Sequence, residues 1–406
     1  MNKKLIENFC SLSVLNITNY IFPVVIIPFL TNRLGSESYG RYAFSLSIIH
    51  YFILIIQYGF DLSATRDIAL HSEHYYRQNI YSTVMFIKLV FNILFITFLV
   101  LMISVIPLMN SDGILYIYGV GIIVGQTLCP FWFFQGIEKM KFITIANFVI
   151  RLIPLLLIIL YVKDSADGKY VMLFQSIGFM AGMLFSLLVV RFEFKLKFVI
   201  PQKKMIQTQL KKGWHLFIST IGMNFYRESN VVILGIFTNF ESVAMYAPAE
   251  KLIKAAQSLT TPFVNTLYPY FSRRFFDDRR DNALTLFYKV GKYYAYILGI
   301  LVVGTILIAP YLSYLLGESY TMAIGNLRIM SFVVILGGMN FYYGIIGLVN
   351  KGGASIFAKG VWIAGLISII SCIVMVNIIG SYGASVSMVL AELILYIYIK
   401  HYGKLS

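Results

Sequence analysis

The sequence predicts an all-α integral membrane protein, with twelve transmembrane helices in two pseudo-symmetric six-helix lobes around a central cavity. Three observations carry that expectation. Apolar residues make up 59% of the 406 and charged residues only 13%, against roughly 45–50% and about 25% in soluble domains. Apolar runs of bilayer length, about 20 residues each, recur along the whole chain. Lysine and arginine crowd into every second connection between those runs.

The candidate spans lie near 10–31, 42–60, 82–106, 114–135, 143–162, 171–190, 214–237, 244–271, 293–316, 329–348, 360–379 and 382–399. The first follows Lys3 and Lys4 as a signal peptide would, but it is too long for an h-region. It also contains Asn16 and Asn19 and lacks a small-x-small cleavage site, so it is expected to be a membrane helix. The eighth, 244–271, departs most from a plain apolar run because it carries Glu250, Lys251 and Lys254. Continuous apolar runs fit helices better than the alternating ten-residue segments of a barrel. Cys10, Cys129 and Cys372 all fall inside such runs, with no CxxC pair, and are expected to be small core residues rather than disulfide partners.

Net charge is +15, from 33 Lys and Arg against 18 Asp and Glu. In a soluble protein that excess would point to nucleic acid; here its placement matters more. The N-terminal segment and the alternate connections hold 24 of the 33 basic residues, the opposite connections 5, and the spans the remaining four: Arg151, Arg227, Lys251 and Lys254. That alternation predicts that both termini are cytoplasmic. No nucleic-acid partner is expected; the bilayer itself is the first partner. The longest connection, 191–213, carries seven of those basic residues and is expected to be a linker on the anionic leaflet. It separates an N-terminal lobe, 1–190, from a C-terminal lobe, 214–406. The run 272–281 mixes four Arg with three Asp, as a solvated, salt-bridged loop does.

An internal repeat supports the two lobes. Residues 37–43 (ESYGRYA) and 241–247 (ESVAMYA) share Glu, Ser, Tyr and Ala at an offset of 204, and Lys88 and Lys292 stand at the same offset. Six spans per half give both halves the same orientation, the parallel repeat whose axis runs along the membrane normal.

Ionisable groups inside spans are costly and usually face a partner or a wet cavity. On the second span Ser47, His50, Gln57 and Asp61 recur at spacings of 3, 7 and 4, which puts them on one helical face. Shifted by 204 they become Lys251, Lys254, Thr261 and Asn265, with Glu250 alongside. Two matching polar stripes most simply line one shared cavity. Arg227 and Asn224 stand on the seventh span, with Glu228 next to Arg227 but about 100° around the helix. Bland readings stay open: Arg151 sits close enough to a span end to snorkel, and Asp61 and Arg66 are placed as ordinary helix-end charges. No GxxxxGK[ST], HExxH or Cys/His cluster occurs, so no nucleotide hydrolysis, metal site, cofactor or enzyme activity is expected.

Several stretches resemble a known family. Residues 19–48 (NYIFPVVIIPFLTNRLGSESYGRYAFSLSI), 57–69 (QYGFDLSATRDIA), 130–144 (PFWFFQGIEKMKFIT), 246–259 (YAPAEKLIKAAQSL) and 267–273 (LYPYFSR) are similar to bacterial O-antigen and polysaccharide flippases. These are the polysaccharide branch of the superfamily that also holds multidrug and toxin extrusion transporters and the lipid II flippase. The resemblance implies translocation of an undecaprenyl-diphosphate-linked oligosaccharide by alternating access, with ion-gradient coupling. It places a polysaccharide polymerase and a chain-length regulator among the candidate partners. It maps Arg66, Lys251 and Lys254 onto family motifs. On this hypothesis Arg227, Lys251, Lys254, Arg151 and Arg66 attract the diphosphate or acidic sugars. Ser47, His50 and Gln57 contact sugar, and Glu228, Glu250 and Asp61 are candidate ion-coupling groups. A drug/cation antiporter of the same fold, or a membrane glycosyltransferase or polymerase, are the alternatives.

Overall fold

The computed structural model describes residues 3–276 and 280–402. It describes side chains from Phe22 onward, except 215, 219, 220, 223–227, 261, 262, 264–266, 269, 273, 276–282 and 318. Among the described residues every regular element is helical. Nine helical segments among them are long and apolar enough to cross a membrane, the first Phe22–Leu70 and the last Ser381–Tyr402. Many of their outward side chains are large and apolar, such as Leu94, Leu101 and Val105 on one helix and Ile370, Val374 and Ile378 on another. Contiguous exposed apolar surface of this kind suits lipid rather than water. The chain is a multi-pass membrane protein.

The nine segments differ from the twelve separate spans expected in three places. The first two spans form one element, α1 (Lys3–Gln57), interrupted by a single non-helical residue, Gly35, at φ +71° and ψ 177°. Only glycine adopts that backbone without strain, and apolar periodicity carries no trace of it. The run 214–237 lies inside a longer helix that begins among basic residues, and 244–271 is divided in two, with polar groups in the first piece. Neither reads as a plain apolar segment. The expected run 114–135 also breaks, at Cys129–Pro130, where proline supplies no N–H to continue the helical ladder.

The chain divides into two compact units. The first comprises Met1–Leu34 and Phe44–Ile221. After α1 it contains α2 (Phe60–Leu70), α3 (His74–Val105), α4 (Gly113–Leu128), α5 (Phe131–Gly136), α6 (Met140–Tyr161), α7 (Gly168–Phe192) and the start of α8 (Lys203–Phe237). Helices α4 and α6 both pack on α7, and α2 packs on α5. A cluster of buried aromatics, among them Phe60, Tyr81, Trp132, Phe133 and Phe134, fills the space between the short helices. Cys129 is buried there and donates to Ser186 Oγ at 3.3 Å.

The second unit comprises Gly35–Ala43 and Gly222–Ser406. It holds the end of α8, then α9 (Phe240–Ser258), α10 (Thr261–Phe276), α11 (Arg280–Ile308), α12 (Thr321–Asn340), α13 (Ala354–Ile379) and α14 (Ser381–Tyr402). Helix α12 runs on through a π-helical turn, Phe341–Leu348. Helix α14 packs against α12 and α13, and α9 packs against α12. Asn239 caps α9 by accepting a hydrogen bond from the Ser242 N–H at 2.9 Å. Cys372 is a buried, free thiol of α13.

The first copy of the repeated motif meets Phe240, the residue before the second copy, inside this second unit. Gly40 lies so close to the Phe240 carbonyl that a Cβ there would collide with it. The Arg41 guanidinium sits over the Phe240 ring, 4.7 Å from its centre, and pairs with Glu37 at 2.8 Å. Tyr39 and Tyr42 are buried, with Tyr39 6.0 Å from Tyr42 and 6.4 Å from Tyr320 between ring centres. The ESYGRYA stretch therefore anchors the start of one helix on the start of another.

Candidate functional site

Among the described residues, charges within the expected spans draw together in the second unit, on α8 and α9. Glu250, Lys254 and Ser258 follow one another at four-residue intervals, so their side chains share a face of α9. Lys254 Nζ is 2.9 Å from Glu228 Oε1 on α8 and 3.3 Å from Glu250 Oε1 one turn back on its own helix. The Glu250 side chain is only 5% exposed, whereas Lys254 and Glu228 are each about a third exposed. One ammonium thus bridges a buried carboxylate and a more open one. Lys251, three residues before Lys254, faces elsewhere: its Nζ lies 5.8 Å from the centre of the Tyr42 ring, within cation–π range. With both lysines charged and both glutamates ionised, the four groups sum to zero.

That balance refines the expected excess of deep positive charge. Arg227, the cation placed furthest inside its span, and Asn224 lie on α8, and Thr261 and Asn265 lie on α10, all with side chains outside the described residues. Glu228 is met by Lys254.

The second-span stripe divides. Ser47 is buried, and His50 and Gln57 are half-buried on α1. The helix stops at Gln57, with Tyr58 (φ +48°) and Gly59 (φ +71°) both in the left-handed region. Asp61 sits beyond that break on α2, so the four polar residues do not share one helical face. Asp61 pairs with Lys88 of α3 at 3.4 Å; the lysine is 1% exposed and the carboxylate 51%. Arg66 is exposed on α2. Arg151 is half-buried on α6, its guanidinium 5.5 Å from the Phe22 ring centre. Neither is drawn toward the Asp61–Lys88 pair by any contact described.

Three further polar clusters escaped the sequence reading. On α14, Glu392 is 3% exposed, and Asn340 of α12 donates to its Oε2 at 2.7 Å and to its backbone carbonyl at 2.8 Å. A lone acid inside the last span was the available signal. Asn326 donates to Ser381 Oγ and to the Met245 carbonyl, both at 3.0 Å, and accepts from Ser385 at 2.8 Å. This buried network has no charge to flag it. In the first unit, Asp67 on α2 is buried and accepts from Gln209 at 2.9 Å and from Lys212 at 2.7 Å. Lys212 belongs to the basic connection; only its distant partner reveals a structural role. Among the described residues no group of His, Cys, Asp and Glu could hold a metal ion.

Solved structures share this all-helical membrane fold. A multidrug resistance MATE family transporter in an inward-facing conformation has a TM-score of 0.77 with this chain, at 14% identity, over 98% of this chain and 97% of its own. The lipid II flippase MurJ, in an inward closed conformation, has a TM-score of 0.69 at 15% identity, over 98% and 87%. The family described as "Polysaccharide biosynthesis protein" matches residues 5–275, and the chain belongs to it. Two relatives span nearly the whole chain, both named "Putative O-antigen transporter". The one from Escherichia coli (strain K12) is 27% identical, over 95% of this chain and 93% of its own length. The one from Shigella dysenteriae is 25% identical, over 97% and 98%.

Proposed function

We propose that this chain flips an undecaprenyl-diphosphate-linked oligosaccharide, an O-antigen or related unit, from the cytoplasmic to the outer leaflet of the bacterial inner membrane. In this reading twelve helices form two six-helix lobes, both termini are cytoplasmic, and transport runs by alternating access coupled to an ion gradient. A polymerase and a chain-length regulator would receive the product. The observation that carries the reading is the near-full-length similarity to two proteins named as O-antigen transporters.

The intramembrane charges supply a mechanism. Lys254 would alternate between two states: bound by Glu228 and Glu250, or released to the substrate diphosphate when those carboxylates take up protons. Substrate and proton then bind the two conformations unequally, which is what coupling requires. Lys251, Arg227, Arg151 and Arg66 would add attraction for the diphosphate or for acidic sugars. Ser47, His50 and Gln57 would contact sugar, and Asp61 is a further proton acceptor. No bond is made or broken by any of these groups, so the protein acts as a carrier rather than an enzyme.

The multidrug antiporter reading draws on the fold similarity and on Glu228 and Glu250, which would suit an organic cation. The deciding experiment removes the gene from its own host and restores it on a plasmid. Loss of the surface polysaccharide ladder, with lipid-linked units accumulating on the inner leaflet and drug susceptibility unchanged, supports flipping. An intact ladder with increased drug sensitivity overturns it in favour of the antiporter.

A further inference from the structure

Where α7 ends, a crevice of about 320 Å³ opens in the first unit. Met85 and Leu89 of α3, Leu128 of α4, Leu187 of α7 and Phe198 line it, and Arg191 is its one charged lining residue. Arg191 stands in the last turn of α7. Beyond it the chain leaves the helix and runs along the start of α3. The Lys197 N–H donates to Gln78 Oε1 at 3.1 Å, and the Val199 N–H donates to Ser82 Oγ at 3.0 Å. Within this segment Leu196 is buried, while Phe198 and Ile200 are 57% and 83% exposed and Lys195 and Lys197 are also exposed. Exposed phenylalanine and isoleucine beside lysine mark a surface that is apolar and basic at once, as segments at a membrane interface are.

We propose that this crevice seats an acyl chain of an anionic phospholipid, with Arg191 on the headgroup phosphate. The apolar walls and the single cation at the helix end match a lipid's own order of charged head and apolar tail. Lys195 and Lys197 on the adjoining segment favour a headgroup with net negative charge. Inside a bilayer an acyl chain gains little from apolar protein, since neighbouring tails are equally apolar. Selection must therefore come from the head, and the site discriminates by charge rather than by tail. Each basic side chain near an anionic surface is worth about a tenfold-or-less preference, roughly fivefold per Lys or Arg.

The test uses the full-length protein, delipidated in a mild non-ionic detergent and titrated with phosphatidylglycerol or phosphatidylcholine. Native mass spectrometry counts the lipids retained. Phosphatidylglycerol is expected to fill one site several-fold more tightly than phosphatidylcholine. Arg191→Ala should weaken phosphatidylglycerol about fivefold and leave phosphatidylcholine unchanged. Leu89→Trp, at a position 46% exposed where added bulk is tolerated, should block the crevice to both lipids. Size-exclusion profiles report whether each variant is folded. Equal binding of the two lipids by the wild-type protein overturns the proposal. So does an Arg191→Ala variant that retains phosphatidylglycerol fully, or displacement of the lipid by millimolar inorganic phosphate, which would make this a phosphate site.

Discussion

Replacing Lys254 with methionine keeps the volume and apolar stem of the side chain and deletes only its charge. Two opposite charges 3.3 Å apart attract by ~5 kcal/mol at an effective dielectric constant of about 20. Most of that is already spent on desolvating Glu250, whose side chain is 5% exposed. Deleting one partner of a buried pair strands the other and costs about 3–5 kcal/mol. The contact with Glu228 adds ~1 kcal/mol at most, because both of its members are about a third exposed. Lys254→Met should therefore lose about 3–5 kcal/mol of stability. Glu250→Gln alone should lose less, since Lys254 keeps Glu228. Adding Glu250→Gln to Lys254→Met should recover most of the loss, because no stranded charge remains. The assay is a double-mutant cycle on the purified protein, by reversible unfolding in mixed micelles followed by circular dichroism. A coupling energy of ~2 kcal/mol or more is expected. If the two single losses add within ~0.5 kcal/mol, the pair does not interact and the reasoning fails.

Five further outcomes follow from the same structure. Asp61→Ala should destabilise more than Lys88→Met by ~2 kcal/mol or more, because it leaves a lysine only 1% exposed without its carboxylate; unfolding of the two variants side by side checks the order. Gly40→Ala should lower the yield and melting temperature of folded protein, since its Cβ would strike the Phe240 carbonyl. Gly35→Ala, with open space around it but φ +71° and ψ 177°, should cost ~1–3 kcal/mol, because that backbone region is essentially open to glycine alone. Asp67→Asn should cost ~1–3 kcal/mol, because the amide retains one hydrogen bond while weakening the bond to Lys212; limited proteolysis between α7 and α8 should speed up. Lys251→Ala should cut surface polysaccharide in the complementation strain at normal protein levels, and a wild-type ladder would remove this lysine from the transport path.

Most of the helices could be placed from the sequence because the bilayer imposes a local rule: about 20 apolar residues in succession, whatever lies elsewhere in the chain. The rule weakened where a helix carries several charges. α9 holds Glu250, Lys251 and Lys254 and ends at Ser258, so its composition mimics neither a clean span nor a loop. Helix breaks at Gly35 and at Tyr58–Gly59 depend on single backbone angles, which apolar periodicity does not register. That is why the stripe from Ser47 to Asp61 looked continuous.

The chain by itself determined that the protein lives in a membrane, that it is helical, which family it resembles and which charges stand inside its spans. These are properties of composition, run length and short motifs, each set by neighbours within a few turns. Only the tertiary structure decided what those charges do. Lys254 meets Glu228 across 26 residues, Asn340 meets Glu392 across 52, and Lys212 meets Asp67 across 145. Burial makes an unpaired charge costly enough to require a partner, but which partner is chosen depends on how helices far apart in sequence are brought side by side.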